Sequence, residues 1–128
     1  MRWITRWAVG VVAVVVGSGT LALAAAVPAQ AASVTFTVNT LTDGVDANPG
    51  NGTCATSGGL CTLRAAIQEA NAVPANTYTI GFSVAGTIEL GGSGALSPIG
   101  SPGLTIDGST APGYSVGGGP VVTLRGDK

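Results

Sequence analysis

Two cysteines, Cys54 and Cys61, six carboxylates and no histidine make up the chemical inventory of this chain. A hydrolytic triad needs a base beside its nucleophile, and the sequence holds neither a His nor a G-x-S-x-G elbow. Phosphate-cradling glycine patterns of the Walker or dinucleotide type are also missing. What remains is carboxylate chemistry. Glu89 and Asp107 each close a Thr-Ile-acid triplet, and the two triplets are 18 residues apart. If that spacing is a structural period, the two acids lie on neighbouring turns of chain. Paired carboxylates at a set separation are what glycoside hydrolysis needs. Asp107 also has a plainer role open to it, that of turning the chain before Gly108.

A second oxygen-rich group, Asp43, Asp46, Asn48 and Asn51, sits in the stretch DGVDANPGN. Loops of this kind bind calcium, but the EF-hand order and its closing bidentate Glu are absent. Asx-turns in a solvated loop use the same residues. Asp43, Asp46 and Asn48 are therefore weak calcium candidates, and no other metal or cofactor is expected. Asn51-Gly52-Thr53 is a glycosylation sequon that reads as a turn. Arg125-Gly126-Asp127 spells an adhesion tripeptide, but the strand pattern already accounts for its Arg-Gly. No residue is assigned a catalytic role.

The elements that must position these residues are mostly short strands. In SVTFTVN, Val34, Phe36 and Val38 alternate with Thr35, Thr37 and Asn39, the mark of a half-buried strand. A long polar loop follows. One helix is then expected, with Thr62 as N-cap and Leu63, Ala66, Ile67 and Ala70 as a single apolar stripe. Arg64, Gln68 and Glu69 fall off that stripe. Asn71 reads as a left-handed C-terminal residue, and Pro74 stops the helix. A helix this short needs tertiary burial to persist. Strands are expected again in TYTIGFSV, GTIEL, GLTIDG and PVVTLRG. Thr87, Thr105 and Thr123 recur at intervals of 18, which suggests a β-solenoid with one short strand per coil. An ordinary antiparallel sandwich is the alternative.

The first residues place the chain in a compartment. Arg2 and Arg6 precede an uncharged run from Ala8 to Val27, and Pro28 and Ala29-Gln30-Ala31 follow. That order reads as a secretory signal peptide over 1–31. The apolar run is also long enough for a retained membrane anchor, since about 20 residues span a bilayer. Membrane contact is expected only through this opening segment. Behind such a leader, Cys54 and Cys61 read as a disulfide, with two free thiols as the alternative. Two cysteines without His cannot complete a tetrahedral zinc site. The chain has a net charge of −1 and no basic patch, so nucleic acid is not an expected partner.

Residues from Phe36 to Cys54 and the run Cys61-Thr62-Leu63-Arg64-Ala65-Ala66-Ile67, with Ala70-Asn71 behind it, resemble the CSLREA domain. This domain is found near the N-terminus of exported, mostly bacterial proteins. Cys61, Leu63, Arg64 and Ala66 match its motif, and Thr62 stands for the Ser. Ala65 occupies the place of the name-giving Glu, so a carboxylate near the helix N-terminus is lost. The later strands resemble the opening coils of a right-handed parallel β-helix. The resemblance covers roughly the whole chain after the leader, and it implies a mainly β fold with one short capping α-helix. Residues 32–75 would be the N-terminal cap and 76–128 the first coils. The cap would cover the apolar end of the tube and its unpaired strand groups.

The expected function is that of a non-catalytic structural module, secreted or at the cell surface, serving adhesion or surface display toward glycans or proteins. The alternative is the front end of a carbohydrate-active β-helix enzyme, a polysaccharide lyase or glycoside hydrolase. After VVTLRG only Asp127 and Lys128 follow. Solenoids generally need about three coils and two caps, so the chain is expected to be part of a longer protein.

Overall fold

The structure is a computed structural model that describes residues 30–126. The expected leader lies outside the described residues, apart from Gln30 and Ala31, and so do Asp127 and Lys128. The fold is mainly β with one short helix. The order is β1 (Ser33–Val38), α1 (Leu63–Ala72), β2 (Thr77–Phe82), β3 (Gly86–Leu90), β4 (Leu104–Ile106), a 3-10 turn (Gly108–Thr110) and β5 (Val122–Gly126).

Every strand pair among the described residues is parallel. One sheet has the order β1-β2-β4 and a second has the order β3-β5. Parallel neighbours cannot be joined by hairpins, because the chain must travel back before it can pair again. The antiparallel sandwich is thereby overturned. The connections consist of a long loop with α1 between β1 and β2, and of strand-to-strand passages between the two sheets. β2 leads through Ser83–Ala85 into β3 of the other sheet, and β4 leads through the 3-10 turn and a loop into β5.

The register corrects the expected period. Thr87 pairs with Thr123, 36 positions on, whereas Thr105 pairs with Thr79, 26 positions back. The 18-residue recurrence does not join neighbouring strands. It steps from one sheet to the other and back, so its apparent period is half of the β3-to-β5 interval. Sheet pairing depends on where the chain returns to the same sheet, and the loops between visits differ in length.

Alternation along β1 and β2 places Phe36, Val38, Tyr78, Ile80 and Phe82 on one buried face. Phe36 and Tyr78 stack with ring centroids 5.6 Å apart. Against this face lie Leu63, Ala66, Ile67 and Ala70 of α1, each at most 2% exposed. The second sheet adds Ile88. β1 pairs with β2 along its whole length, so 32–75 and the described part of 76–128 share one sheet and one core. Thr35, Thr79 and Thr105 form a rank across three strands, alternating in sequence with the apolar residues.

Candidate functional site

α1 starts where Thr62 caps it. The Thr62 hydroxyl accepts from the Ala65 N–H at 3.0 Å and donates to the Gly44 carbonyl at 2.6 Å. One side chain therefore both begins the helix and holds the loop before it. Just upstream, Cys54 and Cys61 form a disulfide, with Cα atoms 5.1 Å apart. Cys61 is also fixed to β1. Its N–H donates to Asn39 Oδ1 at 3.0 Å, and its carbonyl accepts from the Asn39 N–H at 3.1 Å.

Two charged residues of α1 that stand off the apolar stripe are buried as well. Arg64 is 3% exposed and Glu69 1%. A buried ion needs partners for its whole hydrogen-bonding inventory. Arg64 has them. Its Nε and one terminal nitrogen donate to the two carboxylate oxygens of Asp43 at 2.7 and 2.9 Å. Two further N–H groups donate to the carbonyls of Gly94 and Ala95. Hydrogen bonding and the charge of Asp43 raise the Arg64 pKa against the opposing effect of burial. Glu69 accepts from the backbone N–H of Gly50, at 2.6 Å, and of Gly52. Gly50 and Gly52 both have positive φ, +97° and +83°, a backbone shape that suits glycine and lets two amides aim at one carboxylate. Gln68 Oε1 accepts from the Asp46 N–H at 2.8 Å.

Asn71 is the corresponding correction at the other end of the helix. No residue other than glycine has positive φ among the described residues, and α1 continues to Ala72 before Val73 ends it. Asn71 instead holds a distant loop. Its side-chain nitrogen donates to the Pro98 carbonyl at 2.9 Å, and its oxygen accepts from the N–H of Gly100 at 2.7 Å and of Ser101 at 3.2 Å. Arg64, Gln68 and Asn71 stand at i, i+4 and i+7. That polar stripe was present in the sequence beside the apolar one. It was legible as a stripe, but its loop partners, 21 to 31 residues away, were not.

Of the candidate calcium ligands Asp43, Asp46 and Asn48, the carboxylates of Asp43 and Asp46 are used by the protein itself. Asp43 binds Arg64. Asp46 accepts from the Asn48 N–H at 2.8 Å and from the Ala55 N–H at 3.1 Å, as an Asx-turn that also closes the loop. Asn51 accepts from the Thr53 N–H at 2.8 Å in a second such turn. No group of three metal-ligating side chains occurs among the described residues.

Glu89 and Asp107 are not brought together. Glu89 pairs in register with Arg125, and their side chains form an exposed ion pair at 3.4 Å. Asp107 follows β4 in the other sheet and caps the 3-10 turn, accepting from the Ser109 N–H at 2.9 Å and hydroxyl at 2.6 Å. These bonds lower its pKa. The adhesion tripeptide has Arg125 and Gly126 in β5, and its Asp127 lies outside the described residues.

The built constellation is therefore a helix that fastens loops on both of its sides. No protein-family model, curated protein or solved structure matches the chain.

Proposed function

We propose that this chain is a non-catalytic exported structural module, the N-terminal cap and first coils of a right-handed parallel β-helix that serves adhesion or surface display. The observation that carries the reading is the two-sided use of α1. Its apolar stripe lies on the inner face of a parallel sheet, and its polar residues, of which Arg64 and Glu69 are buried, hold loops 43–52 and 94–101 against it. A helix committed on both sides suits a lid better than a reaction centre, where a nucleophile, acid or base must stay free to meet substrate. The all-parallel pairing supports the solenoid part, because a chain alternating between two parallel sheets advances by one strand layer per circuit. The chain's opening residues and its disulfide support export.

Two measurements test this. Expressed from its own first codon in a bacterial host, the protein should appear outside the cytoplasm with an N-terminus near Ala32 or Ser33. An intact Met1 in the membrane fraction would favour an anchor, and retention in the cytoplasm would defeat the reading. Purified protein should not depolymerise polygalacturonate or related glycans. Turnover abolished by Asp107→Asn would establish the enzyme alternative.

A further inference from the structure

A cleft of ≈ 370 Å³ lies between the 3-10 turn and the start of β5, within the size range of small-ligand sites. Its lining includes Asp107, Ser109, Tyr114, Pro120, Val121 and Val122. The wall that carries Tyr114 is a loop built from tight turns. The Tyr114 N–H donates to the Ala111 carbonyl at 3.2 Å, and Gly113 and Gly117 have φ of +82° and +83°. Ala111, 4% exposed, roots this loop in the core. The wall that carries Tyr114 is thus held by a turn next to a buried residue.

Its chemistry is mixed in a particular way. Tyr114 is 46% exposed, an amphipathic ring with a polar tip. Asp107 commits one oxygen, Oδ1, to Ser109, and Oδ2 takes no protein donor among the described residues. An ionised carboxylate is an acceptor only, so it selects ligands that offer O–H or N–H groups and opposes anions. The apolar side is supplied by Tyr114, Pro120, Val121 and Val122. A ligand with one C–H face and a rim of hydroxyls satisfies both sides at once.

We infer that this cleft is a binding subsite for a neutral sugar unit, held by hydroxyl donation to Asp107 and by packing against Tyr114. The inference deepens the adhesion reading above and rests on it. The lining supplies a single carboxylate among the described residues, and glycoside hydrolysis uses two. The lining thus lacks the second carboxylate that hydrolysis would use, and the role inferred for the subsite is binding. The carboxylate also sets the selectivity, since a uronic acid brings a second negative charge to the same place.

The test is an NMR titration of the ¹⁵N-labelled full chain with maltotriose, cellotriose and mannotriose in parallel, and with trigalacturonate as the charged arm. At least one neutral trisaccharide should shift the amides of Asp107, Ser109, Tyr114, Val121 and Val122, and trigalacturonate should bind at least about tenfold more weakly. Tyr114→Ala and Asp107→Asn should each weaken the neutral ligand by about tenfold, while Tyr114→Phe, which keeps the ring, should stay within about twofold. Absence of shifts with all three neutral sugars overturns the inference. So does trigalacturonate binding as tightly as the neutral sugar, or a Tyr114→Ala protein that melts normally and binds unchanged. If the sugars fail while the protein is exported and displayed, only the subsite is lost. If the protein stays in the cytoplasm, the adhesion reading falls whatever the cleft binds.

Discussion

The segment around α1 and the outer strands β4 and β5 use the same kinds of residue to opposite effect. Ile80 in β2 is fully buried, while its register partner in β4, Ile106, is 43% exposed. Ile88 in β3 is fully buried, and its partner Leu124 in β5 is 52% exposed. The ion pairs differ in the same way. Arg64 and Asp43 have side chains 3% and 4% exposed, whereas Arg125 and Glu89 have 73% and 62%. The first two comparisons set apolar side chains at paired strand positions against each other, and the third sets two arginine–carboxylate pairs. The difference is whether other elements lie on top, and the energetics should follow that difference.

The largest contrast should come from charging the apolar positions. Leu63→Asp or Ile67→Asp puts an unpaired carboxylate into the buried face of α1 and should cost about 4 kcal/mol or more, enough to abolish a cooperative melt. Leu124→Asp changes a half-exposed site and should cost no more than about 1 kcal/mol. Thermal unfolding followed by circular dichroism checks both. Equal losses would mean that the outer strands are covered in solution.

The two arginines give the next contrast. Arg64→Ala leaves Asp43 buried and two carbonyls unpartnered, and should cost about 3–5 kcal/mol. Arg125→Ala removes a solvent-screened pair and should cost between 0 and about 1 kcal/mol. Urea unfolding of both variants is the measurement. Replacing Arg64 and Asp43 together by Met and Leu should restore part of the loss, because no orphaned charge then remains. If the double variant is no better than Arg64→Ala, the loop contacts to Gly94 and Ala95 carry the stability instead.

Replacing Cys54 and Cys61 by Ser should cost about 2.5 kcal/mol on loop-entropy grounds, moving the melting temperature by roughly 10 to 20 °C. An unchanged melt would show that the hydrogen bonds of Asn39, Thr62 and Asp46 hold the loop without the bridge.

The smallest effect concerns acid. The Ser109 hydrogen bonds lower the folded-state pKa of Asp107 below its unfolded value. Its contribution is therefore present above the ordinary carboxylate pKa and fades as pH falls through the depressed one. Asp107 is only partly buried, so a ¹³C-detected titration of its carboxyl group, rather than a melt, is the suitable readout. A Ser109→Ala variant should return the midpoint toward the ordinary value.

Much of the local structure was legible because it depends on neighbours in sequence. Alternation over Val34–Val38 specified β1, and the spacing of Leu63, Ala66, Ile67 and Ala70 specified the buried stripe of α1. Thr62 could be recognised as a cap because capping is completed three residues on. The proximity of Cys54 and Cys61 made their pairing readable in the same way. The misreadings were tertiary. Asn71 has the composition of a helix terminator, but loop 98–101 passes within its reach, and its side chain satisfies two backbone N–H groups there. Arg64 and Glu69 stand off the apolar stripe, yet loops cover both: Asp43, Gly94 and Ala95 take up Arg64, and the turn over Glu69 follows from glycine geometry at Gly50 and Gly52 rather than from any pattern in the helix. Glu89 and Asp107 were separated by strand pairing, which is decided by where the chain re-enters each sheet. A spacing in sequence measures distance along the chain. Which sheet a residue joins is settled only when the strands, loops and helix pack together, because hydrogen-bond pairing and burial are shared by segments far apart in the chain.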